Sequence, residues 1–246
     1  MNQWRGKVVV VTGASSGIGA AICRKLVEEG CVVVGLARRL ELMQQLAESV
    51  EGKPGKIHAL KTDMTVEEEI KAAFEWISSN VGPVHVLVNN AGVMNCTNLV
   101  MGETSKWRQV LETNVLGLCI ATREAIQIMK KNNVEGHIVN INSVAGHKQV
   151  YLPMTNLYSA SKHAITNLTE MFRLEMIAEN IRVKITSLSP GLVETDLLHH
   201  DHLADIIKSF PMLKSEDVAN ALIYILSTPP NVQVSELTIK PYGEMQ

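Results

Sequence analysis

The chain of 246 residues has little that would indicate a charged partner, a membrane span or a secretion signal. Its formal net charge is only -2 and charged residues make up 20% of it, so no basic surface predicts nucleic-acid binding. No apolar run approaches the ~18 to 20 residues of a membrane-spanning helix. The first residues lack the charged and then apolar layout of a signal peptide.

Cysteine is also scarce, and its four positions form neither a CxxC pair nor a regular framework. They are Cys23, Cys31, Cys96 and Cys119. Scattered cysteines are typical of reduced thiols in a reducing compartment. We therefore expect a globular protein of the cytoplasm without a nucleic-acid partner or a membrane span. Strand and helix patterns alternate from end to end, which favours a single domain over residues 1–246.

Seven apolar segments alternate with amphipathic helices, and the first, Lys7–Thr12, is a continuous β-branched run. Such a run is typical of a strand that is buried on both faces of a parallel sheet. The alternation predicts an α/β fold, doubly wound, with a mainly parallel seven-stranded sheet flanked by helices on both faces. The other predicted strands are Cys31–Leu36, Lys56–Lys61, Val84–Val88, His137–Asn142, Ile181–Leu188 and Val234–Ile239.

A glycine-rich turn follows the first strand directly and leads into an amphipathic helix. This order of strand, glycine turn and helix is the context that a phosphate-binding loop requires. Gly13 would allow the tight turn, Gly17 would let the backbone approach a pyrophosphate, and Gly19 would let the helix pack closely on the sheet. The loop residues that we assign to a nucleotide site are Gly13, Ser15, Ser16, Gly17, Ile18 and Gly19.

No acidic residue follows the second strand, where an NAD-binding protein would place one to accept from the ribose 2′-hydroxyl. The sequence there is Ala37-Arg38-Arg39. Arginine offers a rigid fork of N–H donors for phosphate oxygens, so Arg38 and Arg39 favour a 2′-phosphate and predict NADP(H) as the cofactor. The alternative is that both are polar surface residues at the start of the next helix.

Polar and small residues stand at the ends of the third and fourth strands. Asp63 is either a turn residue or an acceptor for an adenine amino group, and Thr65 with Glu68 predicts a capping box for the next helix. Asn90 and Gly92 would leave room for a flat cofactor while satisfying freed backbone groups. Ligands of open α/β sheets bind along this carboxyl edge, which favours cofactor contacts for these positions.

A long helix is predicted from about Ser105 to Lys131, and Asn114 lies in its middle with apolar neighbours on both sides. A buried asparagine needs hydrogen-bond partners, and it often bends a helix by competing for backbone groups. Asn114 is therefore a candidate both for a structural role in the core and for a functional role.

The fifth strand delivers Ser143 to the same edge, and a helix predicted over Asn156–Asn180 carries Tyr158 and Lys162 in its first turns. Because they are four residues apart, Tyr158 and Lys162 lie one above the other on one helix face. An adjacent ammonium favours the phenolate and lowers the pKa of a tyrosine from its usual value near ~10. Ser143 would then hold a reacting oxygen while Tyr158 moves a proton. The alternative is an ordinary solvated helix end.

Together these motifs resemble the short-chain dehydrogenase/reductase superfamily over essentially the whole chain. Within it, the ARR that follows the second strand and the phrases NVLGLCIATRE, HIVNINSVAGH and SPGLVETD are similar to the NADP-dependent farnesol dehydrogenase-like group and its vertebrate counterparts that act on ketosteroids. The matching elements are TGASSGIG at Thr12–Gly19, NNAG at Asn89–Gly92, Asn114, Ser143, YSASK at Tyr158–Lys162, and Ser189-Pro190-Gly191 with Thr195 downstream.

The resemblance implies a Rossmann-type fold, a hydride transfer to or from NADP(H), and a role for each matching residue. Tyr158 would be the general acid/base, Lys162 would lower its pKa and hold the nicotinamide ribose, and Ser143 would position the substrate oxygen. Asn114 would organise a water relay to Lys162. For the cofactor, the resemblance assigns the 2′-phosphate to Arg38 with Arg39 and Ser15, the adenine to Asp63, the cleft to Asn90 and Gly92, and the carboxamide to Gly191, Val193 and Thr195.

Apolar residues dominate the segments that can cover the nicotinamide, and no cluster of Lys or Arg awaits an anion, which predicts a lipophilic substrate. The alternative is that half of these apolar side chains pack against the protein itself and do not contact a substrate. Farnesol or a related isoprenoid alcohol is expected from the resemblance, with ketosteroids and other lipophilic carbonyls as alternatives. Residues 192–214 are predicted to form a substrate-binding lid. The apolar residues are Val93, Met94, Val150, Leu152, Met154, Leu197 and Leu198.

No metal is expected, although His199-His200-Asp201-His202 is a cluster of potential ligands. Its spacing suits neither a helical pair nor a loop chelate, which favours a solvated segment. The resemblance implies a homodimer or homotetramer, and the long helices around Asn114 and Lys162 are candidates for pairing between subunits. A binding protein that keeps the fold and senses NADP(H) without turnover is the alternative from another functional class.

Overall fold

The computed structural model describes residues 1–149, 156–198 and 210–244, and of residue 156 only the backbone. The described residues form one seven-stranded sheet in which every neighbouring pair of strands is parallel, as the sequence predicts. The strands are β1 (Val8–Thr12), β2 (Val32–Ala37), β3 (Lys56–Lys61), β4 (Val84–Asn89), β5 (Gly136–Ile141), β6 (Val183–Pro190) and β7 (Glu236–Ile239). Their order across the sheet is β3-β2-β1-β4-β5-β6-β7, with β1 and β4 adjacent where the winding reverses.

Helices connect the strands and cover both faces of the sheet. A π-helical turn over Glu112–Leu116 joins two of them, and 3-10 turns lie at Asn2–Trp4, Val144–Gly146 and Asp196–Leu198. The described α-helices are α1 (Gly17–Glu28), α2 (Leu40–Ser49), α3 (Glu67–Asn80), α4 (Thr104–Leu111), α5 (Gly117–Lys131), α6 (Asn156–Ala178) and α7 (Ser215–Ser227).

The β-branched strands are buried because successive side chains enter two different cores. Val9 and Val11 of β1 pack in the core that contains α1, α2 and α7, whereas Val8 and Val10 pack in the core that contains α3, α5 and α6. All four side chains are at most 4% exposed. A continuous valine run therefore supplies buried apolar side chains to the cores on both faces of the parallel sheet.

The capping box predicted for Thr65 and Glu68 is wrong. The Thr65 backbone N–H and Oγ1 instead donate to Asp63 Oδ1, at 2.9 and 2.8 Å. Glu69 Oε2 accepts from the Asp63 N–H at 2.7 Å, and α3 begins at Glu67. A turn centred on Asp63 therefore precedes the helix and takes the hydrogen bonds that the capping box would have used.

Smaller differences concern the boundaries near the end of the chain. Strand β6 begins and ends two residues later than predicted, and β7 begins at Glu236 rather than Val234. The long helix predicted through Asn114 is continuous but contains the π-helical turn at that residue. Among the described helices, none combines the length and the apolar character needed to cross a membrane.

Candidate active site

The glycine loop between β1 and α1 is held in place by Asn90, at the end of the neighbouring strand β4. The Asn90 side-chain amide donates to the carbonyl oxygens of Thr12 and Gly13, at 2.9 and 3.1 Å. Thr12 Oγ1 accepts in return from the backbone N–H groups of Asn90 and Ala91, both at 3.0 Å. Gly13 has a φ of +65°, and a Cβ on Gly19 would overlap the Gly13 carbonyl. Both glycines are therefore required by the close packing of this loop.

A basic side chain reaches the serines of this loop from the end of β2. Arg39 Nη2 lies 2.6 Å from Ser16 Oγ and 3.3 Å from Ser15 Oγ. Both Arg38 and Arg39 are exposed and line the same cavity as the loop. Two guanidinium groups and two hydroxyls thus gather at one end of that cavity, and this set of donors fits a phosphate.

Asn114 connects the loop after β4 to helix α6. It is 1% exposed, and its Oδ1 accepts from the Val93 N–H at 2.8 Å. Its Nδ2 donates to the Val93 carbonyl and to Ser161 Oγ, both at 3.0 Å. Ser161 Oγ donates onward to the Tyr158 carbonyl at 2.7 Å. The side chain therefore fixes the first turns of α6, where the candidate acid/base residues lie.

Ser143, Tyr158 and Lys162 come together beyond the carboxyl end of β5. Ser143 is hydrogen-bonded to Tyr158, and its Oγ also accepts from the Ala145 N–H at 3.1 Å. Lys162 Nζ lies 5.6 Å from the centre of the Tyr158 ring. The ammonium donates to the Ile141 carbonyl at 2.8 Å, and the lysine is only 5% exposed.

Burial dominates the ionisation of this pair. It raises the pKa of Tyr158 to about 12, although the hydrogen bond with Ser143 acts in the opposite direction. It also lowers the pKa of Lys162 to about 7. The net shift of the Tyr158 pKa is upward because desolvation of the phenolate outweighs the Ser143 hydrogen bond. That Lys162 lowers the pKa of Tyr158 stays a prediction.

A cavity of about 890 Å³ joins these groups along the carboxyl edge of the sheet. Of the predicted site residues, Gly17 and Asn114 are not among the described residues of its wall. Gly17 instead faces Thr195, whose Cγ2 would lie 3.2 Å from a Cβ on that glycine. The predicted residues that do line the cavity are Gly13, Ser15, Ser16, Ile18, Gly19, Arg38, Arg39, Asp63, Asn90, Gly92, Ser143, Tyr158, Lys162, Gly191, Val193 and Thr195.

The end of the cavity near Tyr158 is apolar. Val93, Met94, Leu197 and Leu198 line it as predicted, and Met94 and Leu198 are also packed together at 4% and 7% exposure. A backbone hydrogen bond joins the two flanks of the segment that follows β6. The Leu213 N–H donates to the Leu192 carbonyl at 2.8 Å. Val150, Leu152, Met154 and the His199-His200-Asp201-His202 cluster lie outside the described residues.

Three residues of this region were not assigned roles from the sequence. Thr12 and Ser161 belong to motifs already described. The sequence signal for Thr12 is a polar residue at the end of a buried strand, and the signal for Ser161 is a hydroxyl between Tyr158 and Lys162. Glu244 lines the cavity next to Gly191. It follows the last strand and belongs to none of the motifs, so no sequence signal identifies it as a site residue.

Comparison with known proteins agrees with this geometry. The family model described as short chain dehydrogenase matches residues 7–204. The chain is 49% identical over 246 residues to a farnesol dehydrogenase from Aedes aegypti, with 99% of each protein covered. It is 42% identical over 250 residues to dehydrogenase/reductase SDR family member 11 from Homo sapiens, with 98% of this chain and 96% of that protein covered.

Two solved structures with bound cofactor have the same fold. An actinorhodin polyketide ketoreductase variant with NADPH matches at a TM-score of 0.85 and 28% identity over 96% of each chain. A metagenomic short-chain oxidoreductase in complex with NADP matches at a TM-score of 0.83 and 26% identity, over 98% of this chain and 99% of that one. The chain therefore belongs to the short-chain dehydrogenase family, whose members are oxidoreductases that use nicotinamide cofactors.

Proposed function

We propose that this protein is an NADP(H)-dependent oxidoreductase that interconverts a lipophilic alcohol and its aldehyde or ketone, with farnesol or a related isoprenoid alcohol as the preferred substrate. The observation that carries the proposal is that Ser143, Tyr158 and Lys162 line the same cavity as the glycine loop and Arg39. A group that would move a proton and a loop suited to a dinucleotide thus share one cavity. The bound dinucleotide would supply or accept the hydride.

The residues of the cavity fit such a cofactor. Gly13 and Gly19 place no side chain where the loop packs closely at the start of α1, and the backbone N–H groups there would hold the pyrophosphate. Within the described part of the chain, the Ile141 carbonyl is the one hydrogen-bond acceptor of the Lys162 ammonium. An ammonium has three donors, so Lys162 would bind the ribose hydroxyls with the others.

Cofactor preference would be set at the opposite end of the cavity. Arg38 and Arg39 would hold the 2′-phosphate together with Ser15, and the contact between Arg39 and Ser15 supports this role. No carboxylate follows β2 to accept from a free 2′-hydroxyl. Asp63 would accept from the adenine through the carboxylate oxygen that is not bound to Thr65.

Proton transfer would be carried by the pair on α6. Tyr158 would donate its proton to the carbonyl oxygen during reduction and would take a proton from the alcohol during oxidation. Ser143 would hold that oxygen within reach, since its hydroxyl already hydrogen-bonds Tyr158. Asn114 would keep this turn of α6 in position through Ser161, besides the water relay implied by the resemblance.

The substrate would occupy the apolar end, where Gly191, Val193 and Thr195 would also contact the carboxamide of the cofactor. We propose that residues 192–214 cover this end as a lid within a single domain over 1–246. Both described flanks of that segment support this, because Leu197 and Phe210 line the cavity. The name of the Aedes aegypti relative supports farnesol.

We also propose that the protein is a cytoplasmic homodimer or homotetramer. All four cysteines are unpaired thiols, which supports a reducing compartment. Apolar side chains between 43% and 65% exposed lie on α4, the π-helical turn and α6, which supports pairing of these helices between subunits. These side chains are Leu111, Leu116, Met171, Leu174 and Ile177.

The proposal is tested with purified protein, both cofactors, and a panel of isoprenoid alcohols and aldehydes, ketosteroids and small carbonyls. We expect turnover with NADP(H) and the isoprenoid pair, followed by the absorbance of NADPH. Tyr158→Phe should lower kcat by about 10²- to 10⁴-fold or more while NADP⁺ affinity is retained, because only the proton donor is lost. Tyr224→Phe is the matched control, since Tyr224 is 61% exposed on α7.

Other results would redirect the proposal. Turnover of ketosteroids alone would show that the substrate is a ketosteroid rather than an isoprenoid alcohol. Tight cofactor binding without turnover of any compound would favour a binding protein that senses NADP(H) without catalysis. Arg38→Asp should shift the preference towards NAD, and an unchanged preference would contradict the role of this arginine.

A further inference from the structure

The last described turn of the chain brings a carboxylate against the loop that follows β6. The Glu244 N–H donates to the Pro241 carbonyl at 3.2 Å, and this turn directs the Glu244 side chain back onto Gly191. A Cβ on Gly191 would overlap Glu244 Oε2 and would lie 3.0 Å from Pro241 Cδ. The carboxylate therefore occupies the space that any larger residue at Gly191 would need.

This carboxylate is shielded from solvent and has one lysine beside it. The Glu244 side chain is 7% exposed, and its Oε1 lies 3.2 Å from Lys240 Nζ. Its Oε2 is buried and has no hydrogen-bond partner among the described residues. Glu244 belongs to the cavity wall, whereas Lys240 is not among the described residues of that wall. Of the two members of the ion pair, the glutamate is therefore the one that borders the cavity.

The position of Glu244 along the sheet identifies the part of the cofactor that it would meet. Gly191 follows β6, which is the neighbour of β5, and β5 leads into Ser143. The phosphate-binding loop follows β1, and β4 and β5 lie between β1 and β6. Hydride exchange must take place beside Tyr158, so the end near Gly191 is the end for the nicotinamide. This ring carries a positive charge in NADP⁺ and none in NADPH.

We propose that the buried carboxylate of Glu244 tunes the cofactor site by favouring the cationic nicotinamide of NADP⁺ over the neutral ring of NADPH. The inference rests on the proposed function and adds a residue that determines which redox form is held more tightly. Stabilising NADP⁺ on the protein shifts the internal equilibrium towards cofactor oxidation, which is the direction of carbonyl reduction. The overall equilibrium in solution is unchanged, because the protein is only a catalyst.

The test is the ratio of the Kd for NADPH to the Kd for NADP⁺, measured by calorimetry without substrate. Glu244→Gln keeps the shape and removes the charge, so we expect NADP⁺ to bind more weakly and NADPH to bind unchanged. The ratio should fall by about three- to tenfold, because a charge in the cavity wall would act on the ring through an effective dielectric constant of roughly 20 and would be partly offset by Lys240.

A second variant should act in the opposite direction. Lys240→Met removes the cation that offsets the carboxylate, so NADP⁺ should bind more tightly relative to NADPH and the ratio should rise. The matched control is Glu135→Gln. Glu135 is also an ion-paired glutamate, bound to Arg182, but it precedes β5 at the opposite edge of the sheet. This control should leave the ratio unchanged.

The possible outcomes are distinct. Equal weakening of both redox forms in Glu244→Gln would show that the residue only supports the Gly191 loop, and the inference would be wrong. An unchanged ratio in both variants would also overturn it, while leaving the proposed function intact. If the unaltered protein binds neither NADP⁺ nor NADPH, the proposed function fails, and the inference fails with it.

Discussion

The buried ammonium of Lys162 makes folding depend on pH in a way that can be measured directly. Burial lowers its pKa from 10.5 to about 7. Between these two values the unfolded chain binds a proton at this site and the folded chain does not. The free energy of unfolding therefore rises with pH across this window, and below about pH 7 the full cost of the buried cation is present.

The shift sets the size of the effect. A change of one pKa unit corresponds to about 1.4 kcal/mol, so the cost is on the order of 4 to 5 kcal/mol below pH 7 and vanishes near pH 10.5. Lys162→Met keeps an unbranched side chain of similar length and removes the charge. We expect this variant to be more stable than the unaltered protein at neutral pH, although it would lose its activity. The advantage should shrink by roughly 1.4 kcal/mol for each unit of rising pH.

Urea unfolding of both proteins at about pH 7, 8 and 9 measures this difference. Taking the difference removes contributions that the two proteins share, such as those of Cys23 and Cys31, whose thiol pKa values burial raises to about 12 and 11. Lys71→Met is the control for removing an exposed lysine. A stability difference between Lys162→Met and the unaltered protein that stays constant from pH 7 to 9 would refute the reasoning.

Three further predictions concern residues around the sheet edge and the core. Ser161→Ala removes an acceptor of the buried Asn114 amide, so urea unfolding should show a loss of about 1 to 3 kcal/mol; no loss would contradict the importance of this bond. His137→Leu should remove an acid sensitivity, because burial lowers the pKa of His137 to about 3. Below pH 6.5 the unfolded chain takes up a proton that the folded chain does not, so the unaltered protein should lose up to roughly 1.4 kcal/mol per pH unit relative to this variant. If the free energy of unfolding fell equally with decreasing pH in both proteins, His137 would not be the source of the acid sensitivity. Gly19→Ala introduces a Cβ onto the Gly13 carbonyl, so calorimetry should show NADP⁺ affinity reduced by about tenfold or more, and full affinity would mean that the loop can relax.

The sheet and the glycine loop could be predicted because each depends on residues that are close in sequence. A run of β-branched residues has one way to bury both of its sides, and the glycines follow that run directly. The boundaries of β6 were less predictable. Asn180 adopts a φ of +53° and turns the chain, so the strand starts at Val183 rather than at Ile181. Pro190 then continues the pairing with β7 where the sequence indicates a turn.

The rest of the site could not be predicted because it depends on contacts between distant segments. The apolar neighbours of Asn114 indicate that it is a buried polar residue, but nothing near it in sequence identifies Val93 and Ser161 as its partners. Glu244 contacts Gly191 only because β6 and β7 are neighbours in the folded sheet. A hydrophobic pattern determines which strands form, and the partners of the polar side chains follow only from the order in which the strands assemble.

The charges of Tyr158 and Lys162 are a second property of the site that the sequence alone does not predict. The spacing of Tyr158 and Lys162 correctly brings the two side chains together, but the sequence does not contain the dielectric environment that determines their charges. Burial favours the neutral form of both groups, so proximity alone does not produce a reactive phenolate. A ligand that offers acceptors to the Lys162 ammonium would stabilise its charge, and that charge would in turn favour the phenolate of Tyr158. The acid/base chemistry that we propose for Tyr158 would therefore be coupled to cofactor binding, because the ribose that Lys162 would hold supplies such acceptors.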